Sequence, residues 1–374
     1  MKILIDGRTF TAPSAGISNF LKESIMAWGK LHPADTFYIA LPKAPHKTFA
    51  RDGLPDNAQL VECTNWLFRR LPNLVWLLLM MPLLARRWQA DIYYTPVPCL
   101  PFLLPRRMKK IIVVHDVVNI EFSETMQWTN VLANKLFFNR SIKKADIIWT
   151  NSLYTKGKVK HYFPQRRCQD IFTGASIDRS VYQAIDISPQ EATDLLRRLG
   201  IQQPFILFVG SLEPRKNLTF LLSLMPDLYR QENLQLVVVG GRGWKNSPIR
   251  SIVEADGFPR ESTVFCGFLP NEDLVKLYHL ARCFVSASLN EGFGMPQLEA
   301  LLCGCPIVTA HNSAMIEVAK GKSGATTVEG YDPQVWKDTI IRIAGTRPQV
   351  NTEQLAAYDW DKILKQFLEN RITI

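Results

Sequence analysis

Phe205-Ile-Leu-Phe-Val209 runs straight into Gly210-Ser-Leu-Glu-Pro-Arg-Lys-Asn217, and a helix-patterned stretch, Leu218–Tyr229, follows at once. An apolar run, a glycine turn and then a helical period make one βα unit. The unit recurs in both directions. Downstream, Gln235–Val239, Thr263–Cys266, Arg282–Ser286 and Pro306–Thr309 read as strands, with helical segments at Asn271–Ala281 and Pro296–Cys303. Upstream, Lys2–Ile5, Phe37–Ala40, Asp91–Tyr94, Ile111–Val114 and Asp146–Thr150 have the same character. Strands this continuously apolar are buried on both faces, as in parallel sheets covered by helices. The expected fold is α/β: two Rossmann-like, doubly wound domains facing across a cleft. Ligands then bind beyond the carboxyl ends of the strands.

The length of 374 residues suits two domains. Asp, Ser, Pro and Gln punctuate residues 178–203, so the first domain is expected over 1–180 and the second over 181–356. With 47% hydrophobic and 21% charged residues the chain is globular, neither disordered nor low-complexity. Its net charge of +10 is unevenly spread: residues 1–180 hold 25 Lys and Arg against 13 Asp and Glu, and residues 181–374 hold 19 against 21. That difference points to nucleic acid, an anionic membrane or an acidic ligand on the first half only, the competing reading being a merely basic surface.

Seven cysteines without a C-x-x-C pair predict reduced, buried thiols in a cytosolic protein, with neither disulfides nor zinc. Cys303 and Cys305 fall in a helix-like run that would turn them to different faces. Asp6 and Arg8 interrupt the N-terminus, so no signal segment is expected. Leu71–Ala85 is almost wholly apolar, carries Pro72 and Pro82, and is flanked by Arg69-Arg70 and Arg86-Arg87. It is too short to span a bilayer. It is either a core helix or one lying at a membrane interface, with Trp66, Trp76 and Trp88 as candidate anchors.

Chemistry concentrates in the loops after strands. Arg215 and Lys216 stand before the helix that starts near Asn217, a residue suited to an N-cap. Two cations at a helix N-terminus oppose its dipole, which points to a bound anion such as phosphate. The second loop, Asn290-Glu-Gly-Phe-Gly-Met-Pro-Gln-Leu-Glu299, follows strand Arg282–Ser286. Gly292 and Gly294 let the backbone approach a ligand closely, and Pro296 suits the first helical turn. Glu291 and Glu299, eight apart, can accept hydrogen bonds from sugar hydroxyls. Gly240-Gly-Arg-Gly-Trp244 is either a base or ribose contact or a plain turn. His115, directly after Ile111–Val114, is the one histidine of six at the carboxyl end of an expected strand. Gly16, in Ser14-Ala-Gly-Ile-Ser-Asn19, permits close approach near the first strand. No G-x-G-x-x-G follows that strand and no G-x-x-x-x-G-K-[ST] occurs, which argues against a dinucleotide enzyme and a P-loop ATPase. Asp359-Trp-Asp361 reads as a helix cap, and no His/Cys cluster has metal spacing.

FVGSLEPRKNL, LVVVGGRGW, VFCGFLPNEDLVKLYHLARCFVSASLNEGFGMPQLEALLCGCPIVT and the N-terminal GIS-F pattern resemble the family 4 glycosyltransferases of the GT-B fold. Within them the likeness is greatest to bacterial mannosyltransferases of O-antigen and exopolysaccharide synthesis. It covers essentially the whole chain and is specific over 205–320, where Glu291 and Glu299 match the family's E-x7-E hallmark. The resemblance implies a retaining transferase that takes a nucleotide-diphosphate sugar, with GDP-mannose as the expected donor, and needs no metal or other cofactor. Arg215 and Lys216 would hold the diphosphate, Glu299 the ribose and Glu291 the transferred sugar. Phe293, Gly294 and Met295 would offer backbone N–H groups, with Gly210, Gly241 and Gly292 alongside. His115 would lie near the sugar and Gly16 near the phosphates. The 357–374 segment would be a helix returning to the first domain. Asn19 stands where the family often has Arg, and Thr173-Gly174 replaces a common Asn-Gly. The acceptor is expected to be a lipid-diphosphate-linked saccharide at an anionic membrane, met by the basic first half and Arg106-Arg107-Met-Lys-Lys110. That places the chain in the cytoplasm, peripheral on the inner face of the cytoplasmic membrane, with no nucleic-acid partner. A non-catalytic nucleotide-sugar-binding subunit and a GT-B epimerase are the competing readings.

Overall fold

Ile3, Leu4 and Ile5 are wholly buried in the first strand, as expected of a central strand covered on both faces. The computed structural model describes residues 1–12, 16–49, 53–63, 65–117, 120, 137–167, 170–241 and 247–372. Cys168, Ser14, Ala15 and residues 242–244 of the third glycine cluster lie outside the described residues. The chain divides into two compact units, Met1–Ile177 with Tyr358–Ile374, and Asp178–Ala357.

In the first unit the strands are β1 (Lys2–Asp6), β2 (Thr36–Leu41), β3 (Ala58–Glu62), β4 (Ile92–Thr95), β5 (Lys109–Val114), β6 (Ile147–Thr150) and β7 (Ile171–Thr173). Among the described residues they form one parallel sheet in the order β3-β2-β1-β4-β5-β6-β7. The second unit holds β8 (Phe205–Val209), β9 (Gln235–Val239), β10 (Thr263–Gly267), β11 (Cys283–Ser286), β12 (Ile307–Ala310) and β13 (Ala325–Val328). Its sheet is parallel too, in the order β10-β9-β8-β11-β12-β13. Both are Rossmann-like, with the chain starting mid-sheet and reversing direction once. Three strands went unanticipated, and all are edge strands. β3 and β13 are only half-buried, so their sequences lack an apolar run, and β7 is three residues long.

The helix Trp360–Arg371 packs in the first unit against the helix Gly16–Leu31. Trp360 Nε1 donates to Glu23 at 2.6 Å, Lys30 pairs with Asp361, and Phe367 stacks on Trp149 with ring centroids 4.5 Å apart. Asp359 caps this helix by accepting from the Lys362 N–H at 3.0 Å.

The apolar segment folds as one helix, Asn73–Arg87, with Pro72 at its N-cap and Pro82 inside it. Of the three tryptophans read as membrane anchors, Trp76 is in the core and Trp88 stacks on Tyr38. Only Trp66 projects into solvent. Cys303 and Cys305 do not share a helix: Leu302 is its last residue, and Gly304 at φ 73° turns the chain out of it. The six described cysteines are free, but Cys63, Cys99 and Cys266 are half-buried rather than buried, because they sit at strand ends and in loops. Among the described residues no helix is long and apolar enough to cross a membrane.

Candidate active site

The loop after β8 tightens into a 3-10 turn, Pro214–Lys216, that points two cations at the loop after β11. Arg215 Nη1 donates to the Asn290 carbonyl at 2.8 Å and to Glu291 Oε2 at 3.0 Å. Lys216 Nζ donates to Glu291 Oε1 at 2.5 Å. The loops are also tied through the backbone, the Leu289 N–H donating to the Arg215 carbonyl at 2.8 Å. Arg215 Nη2 lies 3.5 Å from Glu213. Asn217 stands at the N-cap of the helix Leu218–Glu232, yet its side chain caps nothing. It takes a left-handed conformation, φ 53°, so what it supplies is the turn that presents Lys216.

Glu291 is 9% exposed. Burial alone would raise its carboxyl pKa, but Lys216 and Arg215 outweigh burial and hold it below the ordinary value. It is therefore an ionised acceptor at neutral pH. Ser313, at φ 49°, accepts from the Glu291 N–H at 3.0 Å, and the Ala314 N–H reaches the Glu291 carbonyl at 3.3 Å.

Gly294, at φ 89°, is the N-cap of the helix Met295–Leu302, with Pro296 in its first turn. Glu299, on this helix, accepts from Tyr278 Oη at 2.8 Å. Burial pushes its carboxyl up to about 7, against the opposing pull of Tyr278, Lys216 and Tyr182. The two glutamates are thus electrostatically unlike: Glu291 is fixed as an anion and Glu299 titrates near neutrality. Phe293 is buried. Gly240, at φ 149°, has a structural task, because a Cβ there would lie 1.9 Å from the Gly210 carbonyl oxygen. A Cβ on Gly241 would meet nothing within 4 Å.

In the first unit, His115 follows β5 and is held neutral. Burial lowers its pKa to about 4, outweighing a hydrogen bond to the Pro96 carbonyl that raises it. Its Nε2 is buried and without a hydrogen-bond partner among the described residues. Asn151, directly after β6, likewise has a buried, unpartnered Oδ1. Val114 and Thr150 are register partners, so His115 and Asn151 are the next residues on neighbouring strands. Phe20 touches the ring of His115 at 5.0 Å and that of Trp149 at 5.6 Å, which puts both strands' side chains on one face. Gly16 is the first residue of the helix that supplies Phe20.

Reading the sequence alone missed Tyr278, Ser313 and Asn151. Of these, only Asn151 carried a usable signal, a polar residue at the carboxyl end of an apolar strand. His115 is also not the only histidine so placed: β12 extends to Ala310, so His311 follows it, exposed, with Nδ1 2.8 Å from Thr327 Oγ1. The expected strand ended one residue earlier, at Thr309.

Residues 194–352 match the family described as Glycosyl transferases group 1. The chain is 30% identical over 240 residues to O-antigen chain mannosyltransferase B of Escherichia coli, covering 62% of this chain and 60% of that protein. It is 28% identical over 217 residues to serotype-specific mannosyltransferase WbdA of Escherichia coli, covering 56% of this chain but 26% of that protein. This chain therefore matches less than two thirds of the length of either relative. Among solved structures, Anabaena Alr3699/HepE in complex with UDP-glucose is similar with a TM-score of 0.73 and 17% identity, all of both chains being covered. WaaG, a glycosyltransferase involved in lipopolysaccharide biosynthesis, is similar with a TM-score of 0.67 and 13% identity, covering 99% of this chain and 95% of that one. At such identities the structural likeness is one of fold, and that fold is GT-B. The two loops that join Arg215 and Lys216 to Glu291, and the helix that carries Glu299, all lie within residues 194–352, the stretch that matches the group 1 glycosyl transferases.

Proposed function

We propose that the chain is a retaining hexosyltransferase that moves mannose from GDP-mannose to a lipid-diphosphate-linked saccharide in bacterial surface polysaccharide synthesis. It acts in the cytoplasm, peripheral on the inner face of the cytoplasmic membrane. The observation that carries the reading is the convergence of Arg215 and Lys216 on one ionised carboxylate, Glu291, beside a glycine-led helix N-terminus. Two cations and a helix N-terminus suit a diphosphate. A fixed carboxylate next to them suits sugar hydroxyls, which donate to it. Glu299, deprotonated, accepts from the ribose. The mannosyltransferase relatives and the HepE complex with UDP-glucose support a nucleotide sugar as donor and mannose as the group transferred.

In the proposed reaction the acceptor oxygen bonds to the anomeric carbon on the face from which the sugar–phosphate bond breaks. The electron pair of that bond stays on the diphosphate, and the acceptor's proton passes to the departing phosphate oxygen. Arg215, Lys216 and the helix N-terminus stabilise the charge that builds there, so the residues themselves do the work that a metal does elsewhere. His115, neutral, and Asn151 beside it take sugar hydroxyls. Arg215→Ala, Lys216→Ala and Glu291→Ala are each expected to cut turnover about a hundredfold or more while circular dichroism stays unchanged. Undiminished turnover in any two of them overturns the assignment.

A further inference from the structure

The helix Asn73–Arg87 has two apolar faces, and the fold uses one. Trp76, Leu77, Met81 and Ala85 pack into the core with Leu4, Tyr93 and Ile112. The solvent side carries Val75, Leu79 and Leu83, exposed to 39%, 49% and 53%. They stand four apart, a single stripe about 12 Å long. A helix packed on a sheet normally turns polar residues to water, yet Leu74–Ala85 contains none. The stripe has apolar neighbours at its far end. Arg86 Nη2 donates to the Leu103 carbonyl at 3.1 Å, which holds the exposed Phe102–Leu103 turn beside the last turn of the helix. Trp66, also exposed, precedes the helix, with the Arg70 guanidinium 4.9 Å from its ring centroid.

Charge identifies the occupant. Between residues 63 and 115, Asp91 is the only acid against eight lysines and arginines. Arg69 and Arg70 precede the helix, Arg86 and Arg87 end it, and Arg106 and Arg107 follow the Phe102–Leu103 turn, all six exposed. An apolar stripe framed by cations matches a bilayer surface, where aliphatic side chains enter the acyl boundary and arginines meet anionic headgroups. A second copy of the chain fits badly, since a two-fold contact through this face sets arginines against arginines. The N-terminus of the helix is anchored where Arg8 Nη1 donates to the Asn73 carbonyl at 3.2 Å. Arg8 follows β1, so this end of the stripe lies at the carboxyl edge of the sheet, where ligands of such sheets bind.

We infer that Val75, Leu79 and Leu83, framed by these six arginines, form a docking face for an anionic lipid bilayer. The inference rests on the proposed lipid-linked acceptor for its purpose, and its test needs no sugar. The full chain is floated with vesicles of phosphatidylcholine alone, or of phosphatidylcholine and phosphatidylglycerol in equal parts. The expected result is binding to the anionic vesicles, weakened by high salt. Leu79→Asp with Leu83→Asp is expected to reduce that binding about tenfold or more, with an unchanged thermal midpoint, because both positions are exposed. Arg69, Arg70, Arg86 and Arg87 changed together to Gln are expected to lower it about a hundredfold or more. Equal binding to both vesicle types overturns the inference, as does binding that ignores the leucine changes. So does a dimer in ultracentrifugation that those changes dissociate while vesicles stay unbound. If the chain binds anionic vesicles and transfers no sugar to any acceptor, the docking face stands and the proposed function falls.

Discussion

At the residue scale, Glu291 and Glu299 are separated by what surrounds them. Glu291 has two cations within 3.0 Å and stays ionised. Glu299 has a phenol and partial burial, and titrates near neutrality. Nucleotide affinity is therefore expected to rise as pH increases through about 7 and to lose that rise in Glu299→Gln, as calorimetric titration would report. Stability carries the opposite sign for the same group. The folded chain keeps the Glu299 proton up to about 7, whereas an unfolded glutamate releases it near its ordinary value, so Glu299 withdraws stability as pH rises through that window. His115 works in reverse. Its folded pKa of about 4 lies below the unfolded value of 6.5, so its stabilisation is whole above 6.5 and lost as pH falls towards 4. The two effects oppose each other in the native chain. Thermal midpoints across this range are expected to show a shallower acid limb in His115→Gln and a flatter neutral limb in Glu299→Gln. Curves that superimpose on the wild type contradict both assignments.

At the scale of elements, the two glycines after β9 differ in what a side chain would meet. Gly240→Ala puts a Cβ into the Gly210 carbonyl and is expected to cost about 3 kcal/mol or more. Gly241→Ala meets nothing within 4 Å, so its stability should change by less than about 0.5 kcal/mol. A nucleotide affinity that falls in Gly241→Ala thus reports close approach of a ligand, and an unchanged affinity removes Gly241 from the proposed site. The central strands were legible in the sequence because burial on both faces writes itself as an apolar run, as in Phe205–Val209 and in Leu236–Val239 behind Gln235, and the expected bounds of both strands match the structure residue for residue. The edge strands β3, β7 and β13 leave no such trace: Ala325-Thr-Thr-Val328, for one, is half-wet and half polar. Tyr278 was illegible for a different reason. It meets Glu299 from 21 residues away, on the helix Asn271–Leu280, and no local pattern marks such a pairing. For the Leu71–Ala85 segment, hydropathy gave the helix but could not say which face the sheet would take. The sheet takes the face that carries Trp76 and leaves Leu79 exposed.

At the scale of the whole molecule, the charge imbalance follows the two units. The basic half carries the stripe-bearing helix and the neutral His115, while the nearly balanced half sets Arg215 and Lys216 against Glu291. The proposed transfer to a lipid-linked acceptor assigns the local cations of the second unit to the diphosphate and the basic face of the first to the membrane. The most direct test is product analysis with the full chain, GDP-mannose and a lipid-diphosphate-linked saccharide, in the presence of a metal chelator. One added hexose by mass spectrometry, with the donor's anomeric configuration kept by NMR and the product lost in Lys216→Ala, is the expected result. An acceptor left unmodified, or an isomerised sugar formed from the donor alone, would contradict it.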